Sequence, residues 1–458
     1  MREKTLMVSV SGIRGIVGHG LDPEVMGRFV GAYGTWLAEQ SAPDRPTVVI
    51  GRDGRVTGAM YARLTASLLQ SVGCDVIDVG LATTPTVEMA VTGFGAQGGI
   101  ILSASHNPAE WNALKLLNER GEFLSPEAGR TLVARTESGQ ITYASYDGGG
   151  SYREATYLSA HIESILALPL IDRQAIAARN FKVVVDGINS VGAIALPALL
   201  HALGVNDVVV LNDAPMGAFA HVAEPLPAHL GETMAAVVAA GADLGVVVDP
   251  DADRLALICE DGSYFGEELT QVLAAEVVWK QQSGPFATNL SSSRAIEQVA
   301  EQYGETVYRS AVGEINVVNR MKEVGAVIGG EGNGGVILPA LHYGRDALVG
   351  VALTLHHMAT SGVPLSATKA SYPVLHMVKD KVSIAGLPLE DVFRAIEAAF
   401  AGQQMDRTDG LKVDRPDDWV HIRASNTEPI LRIYAEAATA QAAASLADQV
   451  KAIVSSLA

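Results

Sequence analysis

Short apolar runs that break off in Gly, Asp, Asn or Ser and then lead into a helical repeat recur along this chain. Residues 47–50 run into Gly51-Arg52-Asp53-Gly54-Arg55, residues 183–185 into Asp186-Gly187-Ile188-Asn189, and residues 286–290 into Ser291-Ser292-Ser293. Each pattern predicts a strand, a tight turn and a helix. The stretches 193–203 and 233–240 are rich in Ala and Leu and predict helices. Strands alternating with helices predict mixed or parallel sheets covered on both faces. The three strand starts are widely spaced, which points to three related α/β units in series. The tail reads differently: 419–423 and 430–435 pattern as paired strands and 438–457 as a long Ala-rich helix, an α+β unit. Asp147-Gly148-Gly149-Gly150-Ser151 has linker composition. Further seams are expected near Glu260-Asp261-Gly262 and 360–371. The expected organisation is α/β domains at 1–148, 149–258 and 259–365, and a smaller α+β domain at 366–458.

Length agrees with several domains, since 458 residues exceed what one core organises. Apolar residues at 48% and charged residues at 18% are a globular balance. A net charge of −18 argues against a nucleic-acid or anionic-membrane binder, though a small anion can still enter a locally basic cleft. With only Cys74 and Cys259 there is no disulfide framework, and a cytoplasmic location is expected. No apolar run approaches the ~20 residues of a membrane span, and the first residues lack a signal-peptide pattern.

Four constellations could carry chemistry. The run Gly98–Leu102 ends in Ser103-Ala104-Ser105-His106-Asn107-Pro108, two hydroxyls, an imidazole and an amide where open α/β sheets bind ligands. A plain polar turn is the alternative, and Lys115 beyond it reads alone as a solvated lysine. The run Leu244–Val248 ends in Asp249-Pro250-Asp251-Ala252-Asp253-Arg254, and a second apolar run follows. Three carboxylates at alternate positions repel one another unless a hard divalent cation takes their oxygens. An EF-hand would put Gly at the sixth position, where Arg254 stands, and helices on the flanks. Arg254 could reach a phosphoryl group beside such a metal. In Gly329-Gly330-Glu331-Gly332-Asn333-Gly334-Gly335 the glycines admit close approach of a ligand, and Glu331 with Asn333 could read adjacent hydroxyls. A ligand-free glycine loop is the alternative. Finally Arg423-Ala424-Ser425-Asn426-Thr427-Glu428-Pro429, with Arg432, holds the donors a phosphate dianion needs. Ser11-Gly12-Ile13-Arg14-Gly15 and Arg52-Asp53-Gly54-Arg55 add arginines that could make one cleft positive.

In this order the motifs resemble the α-D-phosphohexomutase family, from Ser11 to Arg432. The resemblance implies three similar mixed-sheet α/β domains and a smaller C-terminal α+β domain around a central cleft. It implies an isomerase, an intramolecular phosphotransferase that interconverts hexose 6-phosphate and hexose 1-phosphate through a phosphoserine and a bisphosphate. Ser105 would carry the phosphoryl group, with His106, Lys115, Arg14 and Arg254 about it. Asp249, Asp251, Asp253 and Ser105 would hold Mg²⁺. Glu331 and Asn333 would read the sugar, and Arg423, Ser425, Asn426, Thr427 and Arg432 the non-reacting phosphate. A hexose 1,6-bisphosphate would act as activator, and the enzyme would be a monomer or homodimer with a phosphosugar as its only expected partner. Many members have Ser and His where this chain has Asn333 and Gly335. Ser-Asn-Thr resembles the mannose/glucose mutases and Thr-Glu-Pro the glucosamine mutases; the compact size without large insertions fits the latter subgroup among others, so glucosamine phosphate is the expected substrate and mannose or glucose phosphate the alternative. From other classes, a metal-dependent phosphatase would want clustered histidines, which the spacing does not show. A non-catalytic phosphosugar binder would not need three aspartates.

Overall fold

A computed structural model describes residues 5–9, 12–425 and 429–457. The chain divides into two compact units, Met1–Val277 with Asn333–Ala367, and Val278–Gly332 with Thr368–Ala458.

The first unit holds two sheets. One has seven strands in the order Met7–Ser9, Gly12–Ile16, Trp111–Leu117, Gly98–Leu102, Thr47–Arg52, Asp75–Leu81, Tyr152–Glu154. Thr47–Arg52 pairs in parallel with both Asp75–Leu81 and Gly98–Leu102, while Trp111–Leu117 runs antiparallel between Gly98–Leu102 and Gly12–Ile16. The helix Pro23–Ser41 starts on Asp22, whose side chain accepts from the Val25 N–H, with Pro23 in the first turn. Its buried face lays Met26, Val30 and Tyr33 on Val48, Ile50, Ile100 and Leu102. The second sheet orders Leu255–Cys259, Leu244–Val248, Lys182–Asp186 and Asp207–Leu211, parallel except for the antiparallel pair 244–248 with 255–259. Both members of that pair are buried along their whole length, as two-faced coverage requires.

The glycine run of linker composition is pinned to the first sheet. The Gly150 N–H donates to the Gln70 carbonyl, and a Cβ on Gly150 would lie 1.7 Å from the Cys74 oxygen. Its glycine serves close packing there, a need composition does not separate from flexibility.

In the second unit Phe286–Asn289 pairs in parallel with Val307–Ser310 and with Ile328–Glu331. A five-stranded antiparallel sheet follows, ordered His376–Ser383, Ile430–Ala437, Asp418–Ala424, Leu411–Asp414, Gln404–Asp406. The helices Leu389–Ala399 and Ala440–Ser455 close one face of it over Phe393, Ile396, Ile422, Ile433, Leu446 and Val450. This is the expected α+β tail. Among the described residues no single helix is long and apolar enough to cross a membrane.

Candidate functional site

The serine loop leaves a fully buried strand, Gly98–Leu102, and turns at once. Ser103 is buried, and its Oγ accepts from the Ser105 N–H at 2.9 Å. Ser105 sits at φ +48°, a left-handed conformation that costs a non-glycine residue roughly 1 kcal/mol and that the surroundings must hold. Arg55 does much of the holding. It pairs with Asp53 at 3.0 Å and donates to the carbonyls of Ser105, Asn107, Pro108 and Trp111 at 2.6–2.9 Å. The expectation that the 52–55 turn lends its arginines to a cleft is therefore corrected for Arg55. Its guanidinium is buried and spent on the backbone carbonyls of the loop. Arg14, on the strand next to Trp111–Leu117, reaches Asn107 Oδ1 at 3.4 Å. Gly12 lies opposite Lys115 and Arg14 opposite Ala113, so Arg14 and Lys115 project from the same face of the sheet.

The Ser105 Oγ donates to Asp249 Oδ2 at 2.6 Å. This contact brings the first two constellations together. Asp249, Asp251 and Asp253 are fully buried, and one ligand oxygen from each lies within 4.8 Å of the others. The valine-rich strand Leu244–Val248 delivers them, Pro250 ends the pairing, and Ala252 at φ +54° turns the loop so that all three carboxylates converge. Lys115 Nζ bridges Asp251 at 2.5 Å and Asp253 at 3.2 Å. Thr84 donates to Asp251 Oδ2 at 2.5 Å. Arg254 lies 3.9 Å from Asp253 and 3.5 Å from Glu224.

Burial first, then its neighbours Asp253 and Asp251, push the Asp249 carboxyl well above the usual carboxylate range. Burial pushes Asp253 the same way, yet Arg345, Lys115 and Arg254 outweigh it and hold that carboxyl well below the range. Burial lowers Lys115, but Asp251 and Asp253 raise it further and keep it an ammonium. Burial, reinforced by Arg254 and Arg14, pushes His106 down to about 2, so its ring is neutral; Nδ1 lies 3.5 Å from Ser105 Oγ. Asp251 Oδ1 and Asp253 Oδ1 are buried without a hydrogen-bond partner. Two orphaned carboxylate oxygens beside a serine hydroxyl are an all-oxygen donor set that fits a hard divalent cation.

Sequence reasoning missed Thr84, Arg55 as a scaffold, and Arg345. Arg345 Nη2 donates to Asp253 Oδ2 at 2.7 Å. Its signal was present in Gly344-Arg345-Asp346 ahead of the apolar helix Ala347–Ser361, where Asp346 Oδ1 accepts from the N–H groups of Leu348 and Val349. That pattern predicts a helix start but not the arginine's target. The fold also gathers a histidine cluster that spacing hides. His161 Nε2 and His342 Nε2 lie 2.9 and 3.3 Å from Asp346 Oδ2, His161 Nδ1 is 2.9 Å from Thr86, and His342 Nδ1 is 3.5 Å from Glu88. These groups are spent on one another.

The glycine loop also differs from expectation. A Cβ on Gly334, at φ +83°, would lie 2.3 Å from the Leu255 oxygen, one on Gly335 2.4 Å from Arg345 Cδ, and one on Gly329 2.6 Å from the Met321 sulfur. At these three positions glycine admits the protein's own atoms. Asn333 Oδ1 accepts from the Gly335 N–H at 3.2 Å and so shapes its own turn.

In the second unit Glu331 ends the strand Ile328–Glu331, almost fully buried, and accepts from Asn289 Nδ2 at 2.8 Å and from the Gly313 N–H at 3.2 Å. On the five-stranded sheet Arg423 stands opposite Arg432, and Arg432 opposite Lys381, a row of three cations on one face. Asp409 pairs with Arg423 at 2.7 Å. The Ser425 N–H donates to the Ile430 carbonyl at 2.9 Å, which closes the turn. Like charges across a ladder repel, and a bound dianion would relieve them. Asn426 and Thr427 lie outside the described residues.

Comparison with known proteins agrees over nearly the whole length. Residues 6–142, 159–262 and 265–374 match the family models of phosphoglucomutase/phosphomannomutase alpha/beta/alpha domains I, II and III, and residues 381–453 that of the C-terminal domain. A phosphoglucomutase/phosphomannomutase of Thermococcus kodakarensis is 38% identical over 93% of each chain. A probable phosphoglucosamine mutase of Methanopyrus kandleri is 34% identical over 96% of this chain and 95% of its own. The crystal structure of a phosphoglucomutase/phosphomannomutase family protein from Burkholderia thailandensis superposes with TM-score 0.83 at 26% identity over 98% of both chains.

Proposed function

The chain belongs to the phosphoglucomutase/phosphomannomutase family, and from that premise we propose that it interconverts hexose 6-phosphate and hexose 1-phosphate, with glucosamine 6-phosphate its preferred substrate. The observation that carries the reading is Ser105 Oγ at 2.6 Å from a buried carboxylate triad that keeps two oxygens without hydrogen-bond partners.

In the proposed reaction the phosphorylated Ser105 gives its phosphoryl group to the free hydroxyl of the sugar phosphate. The Ser105 O–P bond breaks, an O–P bond to the sugar forms, and the hydroxyl proton ends on Ser105 Oγ. The bisphosphate then turns over and returns its other phosphoryl group by the reverse step. Such a loose transfer needs positioning and charge stabilisation more than covalent help. Lys115, Arg254 and Arg14 supply positive charge, Arg55 fixes the serine loop, and neutral His106 orients the Ser105 oxygen. Asp249, Asp251 and Asp253, with a phosphoserine oxygen, would hold Mg²⁺, which when bound neutralises charge on the phosphoryl oxygens. Glu331 and Asn333 would read sugar hydroxyls, and Arg423, Ser425, Asn426, Thr427 and Arg432 would take the other phosphate.

The glucosamine preference rests on the Thr427-Glu428-Pro429 sequence of the phosphate loop and on the name of the Methanopyrus relative. The test is isomerisation of glucosamine, mannose and glucose 6-phosphates side by side, with catalytic hexose 1,6-bisphosphate and Mg²⁺. Highest kcat/KM is expected on glucosamine 6-phosphate. Ser105→Ala should lose at least ~10³-fold of kcat, roughly 4 kcal/mol of barrier. Preference for mannose or glucose phosphate would overturn the substrate. Release of inorganic phosphate without isomerisation would replace the mutase by a phosphatase.

A further inference from the structure

A second group of metal-ligand side chains lies in the first unit, outside the aspartate loop. His161, His342 and Asp346 each place one ligand atom within 4.8 Å of the other two. The two Nε2 atoms approach the same Asp346 oxygen, Oδ2, at 2.9 and 3.3 Å. A tetrahedral zinc ion with bonds of about 2.0–2.1 Å spaces its donors roughly 3.3–3.4 Å apart, so these two edges need to shift by about half an ångström at most.

The frame that brings them together is rigid. His161 comes from the helix Leu158–Leu166, 185 residues before Asp346. His342 lies in the turn of a hairpin. The arms are joined by the Asp346 N–H on the Val336 carbonyl at 2.8 Å and by a bridge between Ile337 and Arg345. The N–H groups of Leu341 and His342 close the turn on the Leu338 carbonyl at 2.9 and 3.0 Å. The hairpin is tied to the aspartate loop, where the Leu255 N–H donates to the Gly334 carbonyl at 3.0 Å and the Ala347 N–H to the Ala252 carbonyl at 3.3 Å. Asp346 caps its helix through Oδ1, which leaves Oδ2 facing the histidines. Burial raises the Asp346 carboxyl, but His161 and His342 outweigh it and hold that carboxyl well below the usual range, so it is ionised.

The far side of each ring separates this group from an ordinary hydrogen-bonded cluster. A histidine that binds a metal through Nε2 carries its proton on Nδ1 and donates it to a carboxylate or another oxygen. His342 Nδ1 faces the buried Glu88, 3.5 Å from Oε2. Gly344 makes room for that carboxylate, since a Cβ there would lie 1.9 Å from Oε2. His161 Nδ1 faces Thr86 Oγ1 at 2.9 Å, and that hydroxyl can turn its own hydrogen to Thr83 Oγ1 at 2.7 Å. Both rings can therefore move a proton from Nε2 to Nδ1 and meet an acceptor, which frees both Nε2 lone pairs for a metal.

We propose that His161, His342 and Asp346 form a second metal site, which takes Zn²⁺ and clamps the helix Leu158–Leu166 to the hairpin. Two imidazole nitrogens and one carboxylate suit zinc, whereas Mg²⁺ takes oxygen ligands. The His342 side chain is 13% exposed, which gives the ion a way in and water the fourth position. Because the site joins segments distant in the chain, bound zinc stabilises the folded first unit and takes no part in phosphoryl transfer.

The experiment titrates chelator-stripped, full-length protein with Zn²⁺ in excess Mg²⁺, which competes for the aspartates. Calorimetry gives the affinity, X-ray absorption the ligand shell of the bound zinc, and thermal scans the unfolding midpoint with and without zinc. The wild type should bind one equivalent through two imidazoles and melt at a higher temperature with zinc than without. Glu88→Gln should keep both imidazoles and lose roughly 10–100-fold in affinity, the usual cost of an outer partner. His342→Gln should lose one imidazole and at least as much affinity. If the two side chains merely supported the fold, the variants would lower the midpoint of the zinc-free protein and leave the affinity for zinc unchanged. The inference is overturned by a wild type that binds no zinc, by bound zinc with no imidazole in its shell, or by a folded His342→Gln protein that binds as tightly as the wild type. Should His342→Gln fail to fold, the wild-type spectrum and the Glu88→Gln affinity decide between the two.

Discussion

His421 shows how one buried side chain sets a dependence on pH. It lies on the strand Asp418–Ala424, fully buried, with Nε2 2.6 Å from the Asp409 carbonyl and Nδ1 2.8 Å from Ser291 Oγ. Burial, with Arg423 and Lys412 adding to it, pushes its pKa down to about 4. The unfolded chain takes up the proton near ~6.5, so between that pH and about 4 the unfolded state binds more protons than the folded one. Stability is therefore full above the unfolded value and falls as the pH drops through this window, by up to about 3 kcal/mol for this group. Denaturation midpoints followed by fluorescence of the buried Trp419 should fall with acid more steeply in the wild type than in His421→Gln. Parallel pH profiles for the two proteins would remove the assignment. Ser105 is the contrasting case. Its strained φ has a functional address, because the turn that costs roughly 1 kcal/mol also aims Oγ at Asp249.

At the scale of elements, glycines do two different jobs that magnitudes separate. Gly139 ends the helix Pro126–Ser138 at φ +67° with nothing within reach of an added Cβ. Gly139→Ala should cost about 1 kcal/mol, the conformational penalty alone. Gly334 has a similar φ, but its Cβ would meet the Leu255 oxygen at 2.3 Å, where the hairpin joins the aspartate loop. Gly334→Ala adds displacement of backbone to the same penalty, so a loss of more than about 2 kcal/mol is expected. It should also weaken metal binding, because the strand Leu255–Cys259 leaves directly from Asp253 and Arg254. Thermal unfolding and Mn²⁺ titration of the two variants check this together. Equal costs at both positions would mean that the hairpin yields freely and does not brace the aspartate loop.

For the molecule as a whole, a net charge of −18 conceals local clusters of cations. The first unit gathers Arg14, Lys115, Arg254 and Arg345 about the serine and aspartate loops. The second unit lines up Arg423, Arg432 and Lys381 across three strands. A mutase uses one phosphate as a handle while the other is transferred, and the two exchange roles in each turnover. Arg423→Ala removes charge-assisted hydrogen bonds worth on the order of 1.5–3 kcal/mol. The loss should fall on kcat/KM in the forward and reverse directions alike, with phosphoserine content by intact mass unchanged. A defect in one direction only, or none, would deny Arg423 the role of a common anchor.

Much of this protein was legible from local pattern alone. Apolar runs ending in Gly or Asp marked strands such as Leu244–Val248, because a buried strand must be apolar and its exit loop must turn. Alternating carboxylates marked a cluster that could hold a cation, because unneutralised like charges at that spacing are too costly to bury, and the structure buries the three together beside Lys115 and Arg345. The Ala-rich tail marked the helix Ala440–Ser455. What pattern could not decide was which groups meet across long separations. Arg55 read as one of the arginines of a positive cleft and is a buried scaffold, Gly150 lay in a run of linker composition and is a packing contact, and the glycines at 329, 334 and 335 admit the protein's own atoms. Arg345 and the pair of histidines on Asp346 carry no local sign of their partners. Composition and spacing report what a residue can do. Its partner is set by the register of strands and the turns between them, which bring Ser105 to Asp249 and Arg345 to Asp253 only once both sheets of the first unit have formed.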